Sequence, residues 1–463
     1  MIEPKSTDPL GFTDALRVFR ETDQELYEVV ARSFNVKAWN QMMRTAREHK
    51  PHIYRGIGRG VLALKKGKHT SAGKDVRQEL RNIARELVST YKCDRGFGDV
   101  ETPKQTVTVR LRHSQVVTGL PAEIMQLNHR LAQDHGGINK WTFGFDNRMF
   151  VTDIPEAEIE RLRARDEVMS VEVEPIARIM SKEIPQYVPN AVNTDWGVSR
   201  CFPDNAWARG IYGKNTKLAI LDTGIKQSHP AFWKNGETPY KGGWNFVASS
   251  ANPADDHDHG TYCAGIICHQ HTGLPGTYRG IAPGIDLYIG KVLDAKGSGS
   301  YGNIAAGIDW ARSIGVDVIS MSLGASQGTT ALQAACDAAW YAGVVVVAAS
   351  GNESQADAVS YPGKYQSVIA VAAADYDENI ASFSNQGAEI EVAGPGVAIV
   401  GPWAGNTYSD YQVTNSGGLY MCASGTSAAC PHVAACVGLM KCWYPAALNT
   451  DLRQWLREYA RDL

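Results

Sequence analysis

Four polar residues, Asp222, His259, Asn352 and Ser427, stand in this chain where a fold could put them to chemical use. Asp222 ends the apolar run KLAILD and is followed by TGI. His259 opens HGTYCAGII behind an acidic loop, Asn352 follows VVVVAASG, and Ser427 lies in ASGTSAACPHVAAC. Cleaving an amide with a serine hydroxyl requires a base, an anion that orients it, donors for the oxyanion and rails for an extended substrate. Histidine, aspartate and asparagine are residue types that supply the first three. Each residue also has a plainer reading. Asp222 would cap its own turn, Asn352 would form an ordinary Gly-Asn turn, and Gly-Thr-Ser-Ala would start a helix in a small-residue core. Asp255, Asp256, His257, Asp258 and His259, with His269 and His271, would make a metal loop, although their spacing matches no familiar zinc pattern. The joint order Asp, His, Asn, Ser, each at a strand end or helix start, favours one assembled site over four coincidences.

The elements around these residues explain how they would meet. From about residue 214, the runs KLAILDTGI, IDLYIGKVLD, GVDVISMSLG, AGVVVVAASGN and SVIAVAAAD alternate with helical stretches such as YGNIAAGIDWARSIG and TTALQAACDAAWYAG. Continuous Val/Ile/Ala strands separated by helices predict an α/β domain, a parallel sheet covered on both faces. Active residues collect at the carboxyl ends of such strands, where Asp222, Ser322 and Asn352 fall. Ser427 would stand at a helix start, where free N–H groups favour negative charge, and Pro431 suits an early helical turn.

Two other territories precede this one. Residues 1–100 read as a helical N-terminal region, with helices over Thr13–Phe34 and Ala72–Tyr91 and a basic, Gly-rich loop or hairpin between them. Residues 101–180 read β-α-β-β-α-β, the order of a small ferredoxin-like α+β unit, with one last strand over VMSVEVEPIARIM.

Bulk properties exclude several classes. The 463 residues carry a net charge of −3, so no global basic field points to nucleic acid or an anionic membrane. No stretch approaches the roughly 20 apolar residues of a membrane helix. The N-terminus has acids where a secretion signal would be basic and apolar. Nine cysteines, odd in number and without a CxxC pair, favour a reducing cytoplasm, with secretion by another route as the alternative.

From about residue 195 to 463 the chain resembles the subtilisin-like serine proteases, the subtilase family. LAILDTGIKQSHP, HGTYCAGII, GIAPGIDLYIGKVLDAKGSGS, VISMSLG, VVVVAASGNES, YPGKYQSVIAVAAA, FSNQGAEIEVAGPGV and SGTSAACPHVA follow the order of that family's motifs. Asp, His, Ser is also the order of its triad. The resemblance implies Ser427 as nucleophile, His259 as general base and then acid, Asp222 as its orienter, and an oxyanion hole from Asn352 and the Ser427 N–H. It implies that the backbones of Lys291, Val292 and Leu293 and of Ser322, Leu323 and Gly324 pair with a polypeptide substrate. Ala349, Gly351 and Ser360 would line the pocket for the residue before the cut, with a medium apolar preference such as Met or Leu. Residues 101–180 would be an inhibitory propeptide bound in the cleft of a catalytic domain spanning 181–463. Self-cleavage is expected between Met180 and Ser181, or as late as Tyr187.

Four departures qualify the resemblance. Ala231 stands where relatives place a calcium-binding acid, and the loop CHQHTGLPGTYRG differs from the usual calcium loop. The tight calcium site is therefore expected to be degraded, and no cofactor is required. Ala428 replaces a methionine, and Ser360 replaces a glycine at the pocket floor. Residues 1–100 have no counterpart and would suit a protein partner. A non-hydrolytic binding protein on the same fold, or a peptide ligase or cyclase using the same residues, are the alternative functions.

Overall fold

A computed structural model describes residues 104–112, 121–180, 196–270, 279–406 and 420–461. It adds a two-rung hairpin, Thr70–Ser71 against Lys74–Asp75. That hairpin lies in the basic Gly-rich stretch and replaces the start of the helix expected from Ala72. The rest of the helical reading of residues 1–100 lies outside the described residues, as do Ser181 and Tyr187.

Residues 105–463 form one unit whose two largest sheets differ in design. The first comprises β1 (Lys104–Leu111), α1 (Pro121–Asp134), β2 (Ile138–Thr142), β3 (Met149–Pro155), α2 (Ile159–Arg163) and β4 (Val168–Val173), with strand order β2-β3-β1-β4. This is the ferredoxin-like arrangement. Alternation along β1 points Val107, Val109 and Leu111 into a core with Leu131, Phe150, Ile154 and Leu162. The helix expected from Pro155 is shorter than its sequence pattern, because residues 156–158 form a 3-10 turn before α2.

The strand expected over Val168–Met180 is two strands. Glu174 N–H makes the last rung to the Thr106 carbonyl, and Pro175 has no N–H to continue it. Beyond the break, β5 (Ile176–Ile179) leaves this sheet for another.

The larger half starts with α3 (Trp196–Arg200), α4 (Asp204–Trp207), β6 (Lys217–Asp222), β7 (Tyr240–Asn245), α5 (His259–Cys268) and β8 (Asp286–Lys291). It continues with β9 (Ser298–Ser300), α6 (Tyr301–Ser313), β10 (Val318–Met321), β11 (Leu323–Gly324), α7 (Thr330–Tyr341), β12 (Val345–Ala349), β13 (Val368–Ala374) and β14 (Ile390–Pro395). The antiparallel pair β15 (Ile399–Pro402) and β16 (Tyr420–Ala423), then α8 (Thr426–Trp443) and α9 (Asn449–Tyr459), complete it. Seven strands form one parallel sheet in the order β14-β13-β12-β10-β6-β8-β7. Both faces are buried. Leu218 and Ile220 of β6 pack with α5 and α8, whereas Ala219 and Leu221 pack with α6 and α7. Each such fully buried Leu or Ile contributes about 1.5–3 kcal/mol.

The small sheet rests on α6 and α7. Phe143, Met149 and Val151 share a core with Tyr301, Ile304, Ile308 and Leu332. Polar contacts sit at helix N-termini: Thr330 N–H donates to Glu172 (3.1 Å), and Tyr301 N–H to the Pro175 carbonyl (3.2 Å). Carboxylate and carbonyl oxygens satisfy N–H groups that a helix start leaves without partners. Gly144 N–H adds a bond of 2.6 Å to the buried Asp309 carboxylate.

Candidate active site

Asp222 is the last residue of β6 and is fully buried. Its carboxylate accepts from Thr223 N–H (2.7 Å) and holds Nδ1 of His259 at 2.8 and 3.0 Å. His259 is the first residue of α5, and Gly260 N–H donates to the Thr223 hydroxyl (2.9 Å). This junction needs glycine: a Cβ on Gly260 would lie 2.2 Å from the Gly224 carbonyl oxygen. His259 Nε2 is buried with no hydrogen-bond partner.

The acids of the neighbouring loop are spent on structure. Asp255 takes the Thr223 and Thr261 hydroxyls and three backbone N–H groups. Burial pushes its carboxyl up, but the Thr261 hydroxyl and those N–H groups pull harder and hold it below the usual carboxylate range. Asp258 accepts from Trp403 and the Asn406 N–H, and Asp256 pairs with Lys291. Among the described residues, the only metal-ligating atoms that converge within 4.8 Å are those of Asp222, His259 and Cys263.

Ser427 is the second residue of α8. Its hydroxyl donates to the Ser322 carbonyl (3.1 Å), and the Ser322 hydroxyl donates to the Ser427 carbonyl (2.9 Å). Pro431 explains the second bond: it lacks the N–H that would otherwise bond to that carbonyl four residues earlier. The Cys263 thiol also donates there, at 3.7 Å. Burial raises the surrounding thiols, Cys422 and Cys430 each to about 11. They are packing groups.

Asn352 follows β12. Its Oδ1 accepts from both the N–H and the hydroxyl of Thr426 (2.9 Å each), which fixes the amide and turns its NH2 outward. That NH2 donates to the Met180 carbonyl at 2.5 Å, and Ser427 N–H donates to the same oxygen at 3.0 Å. Thus one carbonyl of the chain itself sits between two convergent donors beside a serine.

The segment before Met180 lies in the cleft as an added strand. β5 runs antiparallel between β9 and β11, with Arg178 opposite Ser298 and Gly324, and Ile179 opposite Leu323. Ile179 N–H donates to Gly297 O (3.0 Å) and Met180 N–H to Ser322 O (3.1 Å). This corrects one expectation. Ser322–Gly324 flank the docked strand, but Lys291–Leu293 do not; Gly297–Ser300 take that place. Val292 and Leu293 spend their N–H groups on the Asp222 carbonyl, and Lys291 Nζ is tied to Thr223 O, Asp256 and Leu293 O. Gly299 lies so close to Val292 that a Cβ would meet its carbonyl at 2.2 Å.

Met180 is buried, and its Cε lies 2.7 Å from where a Cβ on Gly324 would be. Ser360 Cβ and the Tyr361 carbonyl lie at 3.1 and 2.7 Å from the same point. Ala349 shares a core with Met180, whereas Gly351 borders Ser360 and Glu353. The Glu353 carboxylate is taken by Asn385 (2.5 Å), so it is not free to attract a basic side chain. Ala231 packs beneath α5 in a 3-10 turn, and residues 271–278 of the expected calcium loop lie outside the described residues.

Comparison with known proteins agrees with this geometry. The Subtilase family model matches residues 213–463. The chain is 39% identical to Subtilisin DY of Bacillus licheniformis over 278 residues, covering 59% of this chain and 93% of that protein. It is 36% identical to Subtilisin E of Bacillus subtilis over 334 residues, 71% of this chain and 80% of that protein. A thermostable alkaline protease of Halalkalibacterium halodurans is 36% identical over 311 residues, 67% of this chain and 77% of that protein. A strand-end aspartate bonded to a helix-start histidine, on a seven-stranded parallel sheet, therefore has its explanation: the chain belongs to the subtilase family and is a subtilisin-like serine endopeptidase.

Proposed function

We propose that this endopeptidase is made as a zymogen that cuts itself between Met180 and Ser181. The observation that carries the reading is the Met180 carbonyl oxygen, held by Asn352 Nδ2 and Ser427 N–H. In this reading Ser427 Oγ leaves its bond to Ser322 O and adds to the Met180 carbonyl carbon, while His259 Nε2 takes its proton. Asp222 holds the imidazole in the tautomer that leaves Nε2 free to accept and stabilises the imidazolium. Negative charge develops on the oxygen that already has two donors, which is where preorganised dipoles lower a barrier most. The C–N bond then breaks, His259 returns the proton to the Ser181 amine, and water releases the acyl group by the reverse sequence.

Residues 101–180 act as the propeptide: β5 fills the substrate rails and the small sheet lies on α6 and α7. Substrates bind as β5 does, extended between β9 and β11, and the space that takes Met180 suits Met or Leu before the cut. The described cysteines are all free, which suits a reducing compartment such as the cytoplasm. Among the described residues no helix is long and apolar enough to cross a membrane. A fluorophosphonate probe tests the reading: it labels Ser427 in a chain beginning at Ser181. Labelling that persists in Ser427→Ala, or an active chain whose 180/181 bond is intact by mass, overturns it.

A further inference from the structure

Asp258 directly precedes His259, is fully buried, and stands at the N-cap of α5 with φ 111° and ψ −31°. Among the described residues, the other non-glycine positions with positive φ lie between 50° and 65°. Backbone of this kind is open to glycine, rare for a residue with a Cβ, and kept only where several contacts fix it. Here they do. Asp258 N–H donates to the Asp255 carboxylate (3.0 Å), and its carbonyl accepts the Tyr262 N–H (3.0 Å), the first bond of α5. An N-cap aspartate ordinarily turns its carboxylate back to the N–H groups of its own helix. This one makes no such bond. Its Oδ2 accepts from the Trp403 indole N–H (3.0 Å) and its Oδ1 from the Asn406 N–H (2.8 Å). Trp403–Asn406 follow β15, and the partner strand β16 ends at Ala423, shortly before Ser427. The same turn is held to the histidine loop twice more. Asn406 Nδ2 donates to the Asp255 carbonyl (3.2 Å), and Lys226, whose N–H donates to the Thr261 hydroxyl of α5, donates Nζ to the Ala404 carbonyl (2.7 Å).

We propose that Asp258 is a positioning residue, whose carboxylate grips the Trp403–Asn406 turn and thereby holds the strained bend that places the His259 imidazole. The Asp222 carboxylate fixes the rotation of that ring through Nδ1, whereas the place of the His259 backbone is set one residue earlier. Asp258 acts through His259 and takes no proton itself. A displaced imidazole loses rate and leaves binding intact, because the rails for an extended chain are β9 and β11. The grip also ties the strand pair that leads to Ser427 to the helix that starts with His259. The inference rests on His259 as the general base of the endopeptidase.

The test measures kcat and KM on a blocked peptide with Met before the cut, for enzyme obtained from the full chain. The variants are Asp258→Asn, Trp403→Phe, their double variant and Asp258→Gly. Asparagine keeps one acceptor and turns an N–H toward the Trp403 indole N–H, while phenylalanine keeps a ring and removes that indole N–H. Each alone should lower kcat about threefold with KM within about twofold, and the double variant should match Trp403→Phe, since the opposed donor is gone. Asp258→Gly suits the bend but loses both acceptors, so kcat should fall about tenfold; if it does not fold, the other three variants decide. Losses that multiply in the double variant would make Asp258 an electrostatic partner of His259 and overturn the grip. So would losses carried in KM, or an unchanged kcat in both single variants of an active wild type. A wild type that a fluorophosphonate fails to label would sink the general-base assignment along with it.

Discussion

The two halves of the 105–463 unit treat their buried polar groups differently. Around Asp222, Asp255 and Asn352 each carboxylate or amide oxygen has its donors, and at that centre the buried atom left unpaired is His259 Nε2. In the small domain the indole N–H of Trp141, the amide oxygen of Asn128 and Nε2 of His135 are buried without partners. Each buried polar atom without a partner costs about 1–3 kcal/mol. Glu174 adds a carboxyl pushed up to about 7, chiefly by burial, against weaker opposing contacts from Thr108 and the Gly302 N–H; the Glu172 charge adds to the rise. One half leaves a reactive nitrogen, His259 Nε2, without a bond at its centre, and the other rests its core on α6 and α7.

Substitutions should therefore break chemistry in one half and docking in the other. The largest effect belongs to Asn352→Ala, which removes one donor from the Met180 oxygen. Loss of such a donor costs about 10²–10³ in kcat, a magnitude known from subtilisin itself, and KM on a peptide substrate should stay nearly constant. An equal rise in KM would mean that the amide serves binding alone. Next comes Gly324→Ala. Its methyl would lie 2.7 Å from both Met180 Cε and the Tyr361 carbonyl, so kcat/KM should fall about tenfold for a Met substrate and by less for an Ala substrate. Parallel losses on both substrates would show a general disturbance of β11.

Glu174→Gln sharpens the other side. A carboxyl at about 7 in the docked domain, against roughly 4.3 when exposed, favours the neutral form on docking. Docking is thus strongest below about pH 4.3 and weakens as pH rises from there through about 7. The loss is roughly 3–4 kcal/mol across that window. In the Ser427→Ala background, the unfolding midpoint of the small domain should fall over this range with Glu174 and stay level with glutamine. A midpoint that falls identically in both chains would assign the pH dependence elsewhere. The smallest effect is Cys422→Ser, a half-buried thiol with no part in the proposed steps. Peptidase kcat/KM should stay within about twofold of wild type, and a large loss would place that thiol in the chemistry.

Much of this was legible because apolar runs announce buried parallel strands, and Asp222, Ser322 and Asn352 stand at or just beyond their ends. The ferredoxin-like order was equally plain in the alternation of β1 and β4. The rail at Gly297–Ser300 was not, because KGSGS has no apolar alternation and its ladder is the one it makes with β5. Its signal was the glycine spacing, which allows Gly299 to press on the Val292 backbone. The break at Pro175 was readable in principle, since proline cannot continue a ladder.

The central claim is that the carbonyl between Asn352 and Ser427 is the one that reacts. Intact mass and N-terminal mapping of wild type beside Ser427→Ala test it most directly. The account predicts a wild-type chain that begins at Ser181 and a Ser427→Ala chain joined across Met180–Ser181. An active wild type uncut at that bond, or a Ser427→Ala chain cut there with equal efficiency, would contradict it.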